Sequence, residues 1–179
     1  MRRIIIAPLL LALTLLSACT VQDTMNPEIF ARRLCKRENF TVTNETDMIF
    51  DGEKALCFAQ SQAGTQVLFG LITRESGEIT SVSACVDFSA GKQKKTAADD
   101  FIIACGECIA VFAPDDAQNS EDIYSALSLT DTLPEEKTAY HDTQWYRYTL
   151  IVTGTGAYFS VESKRAVPDS AVEYSLRSE

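Results

Sequence analysis

Residues 66–88, QVLFGLITRESGEITSVSACVDF, decide the fold. Two runs rich in Val, Ile, Leu, Phe and Thr flank the turn pair Ser76-Gly77, so the segment reads as a hairpin with arms Gln66 to Arg74 and Glu78 to Phe88. In the second arm Thr80, Val82, Ala84, Val86 and Phe88 alternate with Ile79, Ser81, Ser83, Cys85 and Asp87. The period of two assigns the first set to the core face. A tight turn joins only antiparallel strands, which sets the pairing for the middle of the chain.

Upstream, Met48 to Phe50, the turn pair Asp51-Gly52 and the run Ala55 to Ala59 predict another hairpin. Before it, Asn26 as N-cap, Pro27 at the first helical position, and Ile29, Phe30, Arg33, Leu34 and Arg37 at helical spacing predict a helix over 27–37. Downstream, a lysine loop at Lys92, Lys94 and Lys95 leads to Asp99 and Asp100, which suit a first turn. Phe101, Ala104, Cys105, Cys108, Ile109 and Phe112 then share one helical face. Pro114-Asp115-Asp116 stops that helix, and Ser120 starts a shorter one through Leu127. A polar loop around Pro134 to Lys137 precedes a last hairpin, Trp145 to Thr153 and Ala157 to Ser163, closed at Gly154-Thr155-Gly156. Strands arriving as hairpins, without crossover helices between them, predict a two-layer α+β domain. It comprises an antiparallel sheet of about six strands with the helices on one face.

The first twenty residues carry a different message. Arg2 and Arg3 precede an apolar run from Ile4 to Leu16, too short for a permanent span of roughly 20 residues, and Leu16-Ser17-Ala18-Cys19 follows. This resembles the export signal and lipobox of bacterial lipoproteins. The resemblance implies removal of residues 1–18 and acylation of Cys19, with palmitate-type chains as the membrane anchor. Two or more chains make such attachment stable, whereas one is reversible. It further implies an extracytoplasmic address, either the outer face of the cell membrane or, with Thr20 after the cysteine, the outer membrane of a two-membrane cell. Residues 19–26 then form the lipidated N-terminus and short tether, 27–168 a single domain, and 169–179 a polar tail.

The chain has 16 basic and 25 acidic side chains for a net charge of −9. This excess of acid disfavours nucleic acid as a partner. Five cysteines follow Cys19, namely Cys35, Cys57, Cys85, Cys105 and Cys108, an odd number that cannot all pair within one chain. The sequence leaves their disulfide or thiol state open.

Cys105-Gly106-Glu107-Cys108 is the one motif suited to covalent chemistry, since a thiol of such a pair can be activated at a helix start. Both cysteines fall on the apolar stripe of the predicted helix, which assigns them to packing. Zinc would need Cys57, Cys85 or the single histidine, His141, at spacings that lack a second close pair. No phosphate loop, nucleophile elbow or other cofactor motif stands out, so no catalytic residue and no cofactor is expected. Tyr140, Trp145 and Arg147 form the candidate recognition patch. Trp145 and Arg147 share a strand face by alternation, and such side chains suit a protein or glycan partner. The expectation is a lipid-anchored, non-catalytic binding or structural module of the cell envelope. Two alternatives stand beside it: a membrane-tethered thiol-disulfide oxidoreductase using Cys105 and Cys108, and a small-ligand or glycan receptor.

Overall fold

The computed structural model describes residues 25–42, 48–51, 54–88, 94–129 and 132–166. The expected export segment, Cys19, most of the expected tether and the expected C-terminal tail lie outside the described residues. Helix α1 (Pro27–Cys35) begins as its sequence dictates. The Asn26 side chain accepts from the Ile29 N–H at 2.9 Å, Pro27 occupies the first turn, and Arg32 and Arg33 fall in the last turn, where the helix dipole favours cations. Glu38, at a φ of 64°, turns the chain away after the helix ends.

Five strands follow: β1 (Phe40–Val42), β2 (Met48–Asp51), β3 (Lys54–Ser61), β4 (Gln66–Thr73) and β5 (Ile79–Asp87). Helix α2 (Lys94–Phe112) and helix α3 (Ser120–Leu127) lead to β6 (Lys137–Asp142), β7 (Tyr146–Val152) and β8 (Gly156–Ser163). All pairings are antiparallel in the order β1-β3-β4-β5-β8-β7-β6, with β2 also paired to β3. The fold is α+β. The sheet is seven positions wide and holds eight strands rather than six.

The two strands missing from the sequence reading have physical reasons. β1 is only three residues long, and β6 is an edge strand whose inward residues, Lys137, Ala139 and His141, are only half-buried, so it lacks an apolar alternation. Helix α2 also starts at Lys94, within the expected lysine loop, which moves Asp99 and Asp100 out of its first turn. At the start of β5 a bulge at Ile72/Thr73 shifts the register, so that Ile79 is buried and Thr80 donates its hydroxyl to the Ile72 carbonyl at 3.2 Å.

One sheet face carries the core. Ala55, Cys57, Phe69, Leu71, Val82, Ala84, Phe159, Val161, Tyr148 and Leu150 point to it from β3, β4, β5, β8 and β7. Helix α1 packs Phe30 against Phe69 with ring centroids 6.1 Å apart, and Phe40 meets the same ring edge-on at 5.5 Å. Helix α2 lies over β5 and β8, and α3 over β6 and β7. Because α2 is central, sheet and neighbouring helices bury much of its circumference, which suits its apolar sequence.

Candidate functional site

Each residue of Cys105-Gly106-Glu107-Cys108 has a packing role. Both thiols are fully buried inside α2, and burial pushes their pKa values up, Cys105 being raised further by Cys108 and Cys108 by Glu107. A nucleophilic thiol needs the opposite: access, and a depressed pKa at a helix start. Gly106 faces α3, where a Cβ would lie 2.7 Å from the Tyr124 hydroxyl oxygen. That phenol is pushed up to about 12, first by burial and then by the nearby thiols. Glu107 is buried and accepts hydrogen bonds from the Arg37 guanidinium and the Asn39 amide, tying the chain after α1 to α2.

Two acids that suit helix boundaries in the sequence prove to be buried acceptors. Asp100 accepts from the Ser61 hydroxyl at 2.6 Å, and that hydroxyl accepts from the Thr65 N–H at 3.0 Å, linking α2 to the β3–β4 turn. Asp116 Oδ2 accepts from Thr143 at 2.6 Å and from the Tyr148 phenol at 2.8 Å, locking the segment after α2 onto β7. Burial, followed by the Asp116 hydrogen bond, raises the pKa of Tyr148 strongly.

Asp116 also lines an open cleft of about 540 Å³ at one end of the sheet, with Asp115, Asp122, His141, Gln144 and Trp145. Trp145 lies in the β6–β7 turn, outside the strand, with the Arg165 guanidinium 3.8 Å over its ring. It is 36% exposed. The chain enters at this same end, since the Ile79 N–H donates to the Met25 carbonyl at 2.8 Å and the Lys164 N–H to the Trp145 carbonyl at 2.8 Å. The Trp145 turn therefore lies at the end of the sheet where Met25 is held.

Tyr140 and Arg147 stand on the other side of the sheet, the face that no described helix covers. Tyr140 is 66% exposed opposite Thr149, and Arg147 makes a two-pronged ion pair with Asp142 at 3.0 and 3.2 Å. The hydrogen bonds from Arg147 hold the Asp142 carboxyl below its ordinary range. The expected patch is thus divided, with Tyr140 and Arg147 on the open face and Trp145 at the sheet end. Cys57 and Cys85 are likewise separated by the sheet, Cys57 in the core and Cys85 half-buried on the open face between Leu68 and Tyr158.

The register aligns the open face into rows. Phe58, Leu68, Cys85, Tyr158, Ile151 and Thr138 form one from β3 to β6, and Lys54, Ile72, Ser81, Glu162, Arg147 and Asp142 form another. Between them Gly70, Ser83, Ser160 and Thr149 keep the surface low. A Cβ on Gly70 would meet the Ser83 hydroxyl oxygen at 2.7 Å. Single-sequence alternation missed this surface because β4 is apolar on both faces. Compared with protein-family models, with curated proteins and with solved structures, the chain matches none.

Proposed function

We propose that the chain is an extracytoplasmic lipoprotein, anchored to its membrane by acyl groups on Cys19, whose domain acts by binding a partner in the cell envelope rather than by catalysis. The anchor rests on Arg2, Arg3, the apolar run and the lipobox residues ending at Cys19. The binding reading rests on one observation above all. Phe58 and Tyr158, at 43% and 36% exposure, stand in one row with Leu68 and Cys85 between them, and Ile72, at 46%, stands in the second row, all on a sheet face left bare by the described helices. An exposed apolar row of this kind on an acidic protein suits a macromolecular contact. The thiols of Cys105 and Cys108, which an oxidoreductase would need at the surface, are used in packing.

Labelling cells with a fatty acid should mark the wild-type chain, and Cys19→Ala should abolish the label and release the protein from membranes. Unchanged label and detergent partitioning in that variant would contradict the anchor.

A small-ligand or glycan receptor is favoured by the Trp145 cleft, where an aromatic ring neighbours carboxylates, an amide and an imidazole. That reading requires sugar binding on a glycan array that Trp145→Ala removes.

A further inference from the structure

We propose that the occupant of the open face is a second copy of this chain, packed face to face about a two-fold axis that runs along the strands between β5 and β8. The proposal rests on the reading of this face as the binding surface and names its partner. Three properties of the face point to self-association.

The first is area. The six strands that this axis superposes, β3 to β6 across five gaps at about 4.8 Å, with about seven residues each at about 3.3 Å, give a face of roughly 24 by 23 Å. Two such faces remove roughly 1,100 Å² from water, above the roughly 1,000 Å² that a specific interface should clear. The second is charge. By register the described strands place Lys54 and Arg147 against Asp51, Asp87, Asp142 and Glu162 on this side, a net of two negative charges, whereas the chain carries −9. Two copies of a strongly acidic protein can therefore approach here with little repulsion.

The third is complementarity under the symmetry itself. An axis along the strands reverses the strand order of the facing copy and keeps each row opposite itself. Lys54 at the β3 end of its row then faces Asp142 at the β6 end of the other copy, and the reciprocal pair forms at the opposite rim. In the apolar row Leu68 faces Ile151 of the other copy, and Cys85 faces its Tyr158. Aligned sheets pack in this manner about 10 Å apart. The axis also leaves both Met25 ends at the same end of the dimer, because Met25 bonds at the Ile79 end of β5. Two lipid anchors would therefore enter one membrane.

The test is the mass of the full chain in detergent, with the protein counted separately from the micelle, over a range of concentrations. Twice the chain mass is expected. Phe58→Lys and Tyr158→Lys should each weaken the dimer at least about tenfold, while Ile103→Lys, on the outer side of α2, should leave it intact. Lys54→Glu and Asp142→Lys should each weaken self-association, and mixing the two variants should form the mixed dimer in preference to either parent. A mixture without that preference overturns the strand-aligned axis. A monomeric mass at every concentration overturns the second copy as occupant. If Phe58→Lys then still removes the chain's crosslinks to other envelope components, the binding surface survives without the dimer. If neither property responds, both readings fail together.

Discussion

The two faces of the sheet are built from alternate residues of the same strands, yet they hold the molecule together in different ways. In β4 the covered side presents Val67, Phe69 and Leu71 and the open side Leu68, Gly70 and Ile72, all apolar or small. Hydrophobicity alone does not separate these sets. What separates them is the partner: Phe30 from α1 and the β1 ring Phe40 close on Phe69, whereas the described helices leave Ile72 in water. An apolar side chain stabilises the fold only where another element covers it. On the side that the described helices leave uncovered, it adds little to the stability of the fold.

The largest expected contrast is therefore between two phenylalanines on opposite faces of paired strands. Phe69→Ala removes a fully buried ring from the meeting point of α1, β1 and β4 and should cost about 3–5 kcal/mol in chemical denaturation. Phe58→Ala, on the neighbouring strand but the open face, should cost the isolated chain less than about 1 kcal/mol. Equal losses would show that the open face is packed like the core.

A smaller contrast sets two adjacent acids against each other. Asp116→Ala leaves the hydroxyls of Thr143 and Tyr148 without their shared acceptor and should cost about 1–3 kcal/mol. Asp115→Ala removes an exposed carboxylate and should stay within about 0.5 kcal/mol of the parent. Comparable melting temperatures for the two variants would contradict the role given to Asp116.

The smallest effect concerns the helix layer and appears as pH dependence. Cys105 and Cys108 hold their protons in the folded state well above the ordinary thiol value of 9.0. Above that value the unfolded chain loses these protons and the folded chain retains them, so the unfolded state binds fewer protons and stability falls as pH rises. Below it their contribution is fully present. Replacing both by Ala should cost about 1–2 kcal/mol of packing at neutral pH and flatten the decline between about pH 9 and 10. The phenols of Tyr124 and Tyr148, also raised, should maintain a decline above 10.0. A double variant that loses stability with pH as steeply as the parent would contradict this assignment.

Much of the fold was legible because local signals agreed with tertiary ones. Asn26-Pro27 starts a helix, Gly77 takes a φ of 80° in its turn, and the apolar stripe of residues 101–112 is buried as its spacing requires. β6 was not legible, because an edge strand with half-buried inward residues carries no apolar alternation and reads as a polar loop. The roles of Asp100 and Asp116 were hidden for another reason. Each lies beside a second acid at a plausible capping position, and only the positions of Ser61 and Tyr148, distant in sequence, distinguish the buried member. The candidate patch was partly legible. Alternation placed Arg147 correctly among the outward residues of β7, but Trp145 precedes the strand, so the period of two did not extend to it.

The most direct test of the division between the faces is photo-crosslinking in intact cells, with a photoreactive amino acid placed at position 58 on the open face or at position 103 on the helix layer. Both positions carry apolar side chains of similar exposure, 43% each, so simple hydrophobic stickiness should label them alike. Discrete crosslinked products from position 58 and none from position 103 are expected. Products from position 103 with none from position 58 would contradict the assignment of binding to the open face of the sheet.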